Sequence, residues 1–235
     1  MKKLAVITGG TKGIGKALVE SFAAEGFSIA TCSRNEQDLA SLKKEISKVY
    51  PDIAFFYQKA DLSKKDQVMS FARMVMKTEI PVEVLINNSG LFIPGQVHDE
   101  EDGALERMID TNLYSAYHLT RALVHRMMER KQGHIFNMCS TASITAYTNG
   151  GSYCIAKFAL LGMSKVLREE LKSYNIRVTS VLPGATMTAS WEGTDLPEER
   201  FMKSEDVADT VLAAYRLSDR AVMEEVLLRP QLGDL

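Results

Sequence analysis

Absences narrow this sequence before any motif does. No apolar run among its 235 residues is long enough to span a bilayer: Met1-Lys-Lys is followed only by LAVITGG before glycines and a lysine intervene. The same opening lacks a plausible cleavage region, so no secretory leader is expected. Basic blocks are missing, and 28 Lys+Arg against 30 Asp+Glu give a formal charge of -2. That balance argues against nucleic acid or an anionic membrane as the main partner. The three cysteines, Cys32, Cys139 and Cys154, are odd in number and far apart, which predicts free thiols in a reducing cytoplasm. His98, His118, His125 and His134 fall in no C-x-x-C or H-E-x-x-H pattern, so no metal site is expected. Repeats, low-complexity tracts and linkers are also absent, and the whole chain, 1–235, is expected to form a single domain.

What is present alternates. KLAVITGG is a short β-branched run ending in glycine, which predicts a buried strand. Ile14, Leu18 and Phe22 follow every four residues and predict a helix closing near Gly26. FSIATCS reads as a second strand. Leu39, Leu42, Ile46 and Val49 then mark a helix that Pro51 stops. IAFFYQKA and VEVLINNSG are further strands, flanking a helix with Val68, Phe71 and Val75. A long helix is expected from about residue 103 to 131, with Leu105, Met108, Leu113, Ala116, Tyr117, Leu123 and Met127 on its apolar side. HIFNMCS, IRVTSVLPG and EEVLLRP complete the strands, and Val207, Val211, Leu212 and Tyr215 mark a late helix. Strands alternating with helices need crossovers, so the fold class is α/β: a doubly wound, mostly parallel sheet of about seven strands with helices on both faces. The one long irregular stretch, 183–200, follows the sixth strand. Ligands bind outside the carboxyl ends of such strands, so this stretch is a candidate lid.

TGGTKGIG lies between the first strand and the first helix. Gly9, Gly13 and Gly15 sit where the chain turns tightly, admits a ligand to its backbone and packs helix on strand. A helix start presents unpaired N–H groups to a pyrophosphate. The spacing is G-x-x-x-G-x-G rather than G-x-G-x-x-G, and a glycine turn alone is weak evidence. T-G-x-x-x-G-x-G nevertheless resembles the cofactor loop of the short-chain dehydrogenases/reductases, and further motifs arrive in that family's order. NNSG (Asn87 to Gly90) resembles N-N-A-G, with Ser89 in place of alanine. TNL (Thr111 to Leu113) resembles the segment carrying the family's catalytic asparagine. Ser140, 13 residues before Tyr153, resembles its serine; YCIAK is its Y-x-x-x-K, and PGATMT is similar to P-G-x-x-x-T. The resemblance covers nearly the whole chain and implies a Rossmann-type fold.

Without the family, Tyr153 and Lys157 are simply i and i+4 neighbours on one helix face. An ammonium beside a phenol favours the phenolate, and such a tyrosine can exchange a proton with a carbonyl oxygen. Cys154, one residue on, points elsewhere and reads as packing. The resemblance implies more. Tyr153 would be the general acid, Lys157 would bind the nicotinamide ribose, Ser140 would hydrogen-bond the substrate oxygen, and Asn112 would hold a water linking Lys157 to solvent. It likewise implies cofactor contacts from Gly9, Thr11, Lys12, Gly13, Ile14, Gly15, Ser33, Arg34, Asp61, Leu62, Asn88, Gly90, Tyr153, Lys157, Pro183, Gly184, Thr186 and Thr188. Asp61 of ADLS would contact the adenine amine.

A carboxylate ending the second strand would select NAD. This strand ends TCSRN, with no acid before Glu36. Arg34 offers a planar fork for phosphate and Lys12 a second cation, so NADP(H) is the expected cofactor and reduction of a small-molecule carbonyl the expected direction.

The tail, EEVLLRPQLGDL, and the lone Trp191 are similar to bacterial sepiapterin reductases. A tryptophan there would stack on a planar substrate, or anchor the lid apolarly. A sepiapterin-like or diketone substrate is one reading and a 3-oxoacyl carrier-protein reductase another. Glu192, Asp195, Glu198 and Glu199 make the lid acidic, against docking of an acidic carrier. A non-catalytic NADP(H) sensor is a reading of another class, to which the intact set Asn112, Ser140, Tyr153 and Lys157 is opposed. The family resemblance further implies a homodimer or homotetramer through the long fifth and sixth helices.

Overall fold

The structure, a computed structural model, describes residues 2–188 and 193–235. Trp191 and Glu192 lie outside the described residues. Seven strands are described: β1 (Leu4–Thr8), β2 (Ser28–Ser33), β3 (Phe55–Lys59), β4 (Val82–Asn87), β5 (Gly133–Met138), β6 (Ile176–Pro183) and β7 (Glu225–Leu228). They form one sheet in the order β3-β2-β1-β4-β5-β6-β7, with every neighbouring pair parallel. The helices are α1 (Gly13–Ala24), α2 (Glu36–Val49), α3 (Lys65–Lys77), α4 (Ala104–Ile109), α5 (Ser115–Arg130), α6 (Gly151–Leu171) and α7 (Ser204–Arg216). This is the doubly wound α/β sheet expected from the sequence.

Why the strands read as unbroken apolar runs is plain from their surroundings. Every residue of β1 and β4 is buried, because helices cover both faces of the sheet. Alternate residues feed two cores. Ala5 and Ile7 join Leu18 and Phe22 of α1, Leu42 and Ile46 of α2, and Val207 and Val211 of α7. Leu4 and Val6 face the opposite way, onto Val68 and Phe71 of α3 and Leu119 and Leu123 of α5. Each such side chain contributes about 1.5–3 kcal/mol by leaving water.

Local chemistry sets the helix ends. The Asn35 side chain accepts from Gln37 N at 2.9 Å and Asp38 N at 3.3 Å, capping α2, and Pro51 follows its end. The helix expected over 103–131 starts after Gly103 (φ 86°) and ends at Lys131 (φ 51°). Between α4 and α5, however, Asp110–Tyr114 form a π-helical turn. The extra residue of such a turn rotates everything beyond it by about 100°. Tyr117, assigned to the apolar side, is 40% exposed beyond that broken period, and Leu105, before it, is 40% exposed because α4 buries Ala104 and Met108 instead. Val49 of α2 is exposed as well, sitting at the last residue before the cap.

The parallel order places the carboxyl ends of all seven strands along one edge. β1 adjoins both β2 and β4, so the winding direction reverses between β1 and β4, and the crevice of such sheets opens there.

Candidate active site

The glycine loop leaves β1 at that reversal and is tied to the end of β4. Thr8 Oγ1 accepts from Asn88 N and from Ser89 N, both at 2.9 Å. Asn88 Nδ2 donates to Thr8 O at 2.9 Å and Gly9 O at 3.4 Å. The Asn88 side chain is therefore spent on the loop itself. Gly9 has φ +68°, which L side chains rarely adopt, and a Cβ on Gly15 would lie 2.1 Å from Gly9 O. Thr11 and Lys12 form the loop's tip, Ile14 packs partly into the core beside α1, and a Cβ on Gly13 would lie 3.0 Å from Thr188 Cγ2. The loop and the segment after β6 thus close on each other.

At the exits of β2 and β3, the other expected contacts separate into two kinds. Arg34 is exposed, and Lys12 Nζ stands 3.9 Å from Asp38 Oδ2, a long, solvated pairing. The Ser33 hydroxyl donates to Asn35 O at 3.1 Å. Asp61 Oδ1 accepts from Ser63 N at 3.0 Å and Ser63 Oγ at 2.8 Å, a local turn into α3. Leu62 is buried in the core against α3, so only its main chain is near the crevice edge. After β6, Gly184 N donates to Leu228 O at 2.8 Å, and the Thr186 hydroxyl donates to Gly184 O at 3.1 Å from a buried position. Thr186 therefore serves the turn after Pro183, while Thr188 reaches the glycine loop.

Tyr153 and Lys157 come together at the end of β5, where Lys157 reaches Met138, two residues before Ser140. Lys157 is buried, its Nζ donating to Met138 O at 2.8 Å and lying 5.6 Å from the Tyr153 ring centroid. One helical turn brings the pair onto the same face, as i and i+4 require. Ser140 starts a 3₁₀ turn, Thr141–Ser143; its Oγ accepts from Ala142 N at 3.1 Å, which leaves its proton to donate elsewhere. Gly90 faces this cluster: a Cβ there would lie 3.0 Å from Asn112 Oδ1 and 3.6 Å from Lys157 Nζ.

The Asn112 side chain is spent on the chain itself. It lies in the π-helical turn, 1% exposed, and its Oδ1 accepts from Leu91 N at 3.1 Å. Its Nδ2 donates to Leu91 O and Met108 O, each at 2.9 Å. Both ends of the amide are engaged in holding the segment after β4.

Three neighbours escaped the sequence reading. Phe92, 36% exposed, packs edge-on against Tyr153 with centroids 5.0 Å apart. Tyr147 lies close enough to Tyr153 and Cys154 for all three to interact, and burial raises its phenol above the ordinary value. Glu100 bonds to Ser152 and is held below the usual carboxylate range by those bonds. None of the three sits in a motif or a periodic pattern. Cys154 itself is buried, as packing requires, and Cys139 is pushed up to about 11 by burial, against the opposing pull of Lys157.

A family model described as short chain dehydrogenase matches residues 3–198. The chain belongs to the short-chain dehydrogenase family. It is an oxidoreductase of that family. The sepiapterin reductase of Chlorobaculum tepidum is 31% identical over 245 residues, covering 100% of this chain and 99% of that one. The alcohol dehydrogenase of Thermococcus sibiricus, solved with 5-hydroxy-NADP, superposes with a TM-score of 0.90 at 25% identity, over 98% of this chain and 97% of that one. A metagenomic short-chain oxidoreductase solved with NADP gives a TM-score of 0.84 at 29% identity, over 97% of both chains. For a short-chain dehydrogenase, the residues at the sheet edge fit a dinucleotide. The glycine loop, held tight where Gly15 meets Gly9 O, the N-terminus of α1 behind it and the exposed cations Lys12 and Arg34 are the donor set that phosphates take.

Proposed function

We propose that this chain is an NADPH-dependent carbonyl reductase in which Tyr153 is the general acid. The observation that supports it is the buried Lys157, 5.6 Å from the Tyr153 ring centroid and bonded to Met138 O, two residues before Ser140. The glycine loop and the start of α1 would hold the pyrophosphate, and Arg34 with Lys12 the 2′-phosphate; the bound nicotinamide would supply the hydride. Ser140, its oxygen already accepting from Ala142 N, would donate its proton to the substrate carbonyl oxygen. Tyr153 gives its phenolic proton to that oxygen as the alcohol forms. Lys157, fixed by Met138 O, holds the ribose and favours the transient phenolate. A water at Asn112 would return the proton by way of Lys157, held by the main chain, since the amide is occupied by Leu91 and Met108.

The substrate is a small carbonyl compound with an apolar or planar body, a sepiapterin-like molecule or a diketone. Support comes from Phe92 against Tyr153 and from the exposed Ile144 and Tyr147 after β5, a broadly apolar approach. A reductase of sepiapterin among the relatives points the same way. Residues 183–200, of which 189–192 lie outside the described residues, would act as a lid on a single domain. Its base is fixed where Met187 N donates to Met202 O and Met202 N to Ala185 O. The exposed Tyr114 just before α5, Tyr117 of α5, and Ile155, Phe158 and Val166 of α6 support a homodimer or homotetramer built on these helices.

Oxidation of NADPH against a panel of sepiapterin, diketones, aldehydes and acetoacetyl thioesters tests the reading, with NADH run in parallel. Turnover of a diketone or sepiapterin with NADPH preferred is expected. Thioester preference would make the chain a 3-oxoacyl reductase, and equal use of NADH would remove the role given to Arg34. Tight NADPH binding with no turnover would make it a sensor.

A further inference from the structure

The geometry points to Glu100 as a positioning residue for Tyr153, acting through Ser152 at the start of α6. This rests on the reading of Tyr153 as the general acid. The first turn of α6 lacks what helix starts ordinarily have: Gly150 at the cap offers no side-chain acceptor, and no acidic residue follows it. The acceptor comes from elsewhere in the chain. The Glu100 carboxylate, on the segment between β4 and α4, accepts from Ser152 N at 2.8 Å and from Ser152 Oγ in a short hydrogen bond. A carboxylate bonded to a first-turn N–H also meets the positive end of the helix dipole.

Tyr153 is the next residue, so anything that fixes Ser152 fixes the approach of the phenol. The same segment grips the helix start at other points. Gly95 N donates to Asn149 O at 3.1 Å, and Gly95 pairs with Gly150 in a parallel bridge. The Glu100 side chain packs against bare glycine on both sides of this contact: a Cβ on Gly151 would lie 2.0 Å from Glu100 Oε1 and 2.7 Å from Gly95 O, and one on Gly95 2.6 Å from Glu100 Cγ. Phe92, on that segment too, supports the Tyr153 ring edge-on. A proton donor displaced by about 1 Å loses on the order of 100-fold in rate, so a carboxylate 52 residues away in sequence governs kcat without touching substrate.

The test compares wild type, Glu100→Ala, Glu100→Gln and Tyr153→Phe, using the most active carbonyl of the panel. The readouts are kcat, NADPH binding by fluorescence and the thermal midpoint. Glu100→Ala should lower kcat by about 10- to 100-fold while NADPH binding stays within about twofold. Glu100→Gln, whose amide oxygen still accepts from Ser152 N–H, should recover most of that loss. Should Glu100→Ala fail to fold, Glu100→Asp, one methylene shorter, carries the same comparison. An unchanged kcat in Glu100→Ala, or equal losses in the Ala and Gln variants, overturns the assignment. If Tyr153→Phe keeps full turnover, the reading of Tyr153 falls instead, whatever Glu100 does.

Discussion

Asn112 holds Leu91 by both of its main-chain polar groups, accepting from its N–H at 3.1 Å and donating to its carbonyl at 2.9 Å. One buried amide thus replaces a strand partner for a residue that has just left β4. It also fixes the segment that brings Gly90 and Phe92 to the crevice. Asn112→Ala leaves Leu91 N–H, Leu91 O and Met108 O without that partner, at a cost of about 1–3 kcal/mol for each group left buried and unsatisfied. Asn112→Asp should be worse, because a carboxylate would face the carbonyl oxygens of Leu91 and Met108. Urea denaturation of the two variants checks the order; equal stability to wild type would contradict it.

Gly15 is limited by contact with backbone. A Cβ there would lie 2.1 Å from Gly9 O and 2.6 Å from Asn88 Nδ2. Gly15→Ala should therefore displace the glycine loop and weaken NADPH binding by about tenfold or more, with the sheet still folded. Fluorescence titration measures the affinity and circular dichroism the fold. Binding at wild-type strength would show that the loop is not the cradle.

Arg34 is exposed at the exit of β2, where no acid stands to repel a phosphate. Charge-assisted hydrogen bonds of this kind are worth about 1.5–3 kcal/mol. Arg34→Ala should raise KM for NADPH by about 10- to 100-fold and leave KM for NADH nearly unchanged. A parallel rise in both would indicate damage to the loop rather than loss of a phosphate contact.

His134 gives the fold an acid limit. It is fully buried in β5, with Nε2 2.7 Å from Thr179 Oγ1, and its pKa lies well below 6.5 because of burial first and Arg177 second. The neutral ring is the folded form, whereas an unfolded imidazole takes up a proton as pH falls through 6.5. The stability this provides is present above that value and declines below it. Denaturation midpoints should fall between pH 6.5 and about pH 5, and His134→Gln should flatten that slope. An unchanged slope would assign the acid limit to carboxylates.

Much of this was legible in the sequence, for identifiable reasons. Strands covered on both faces are continuous apolar runs, so β1, β4 and β6 announce themselves, and the parallel order follows from the helices between them. Tyr153 and Lys157 carry little meaning alone and gain it beside Ser140 and the glycine loop. The π-helical turn was hidden, because a single added residue leaves no mark on a pattern read at constant period, and Tyr117 was misassigned for that reason. That the side chains of Asn88 and Thr186, read as cofactor contacts, also tie down the glycine loop and the turn after β6 had no local signature. Phe92 and Glu100 were missed because they reach their partners across more than 50 residues, and such contacts have no local signature.

The most direct measurement is the pre-steady-state rate of NADPH oxidation with the best carbonyl substrate, in wild type and in Tyr153→Phe. General acid catalysis contributes about 10²–10⁴-fold. The variant should lose that factor while binding NADPH as wild type does. A Tyr153→Phe enzyme that reduces the carbonyl within about threefold of wild type would contradict the assignment of Tyr153 as the acid.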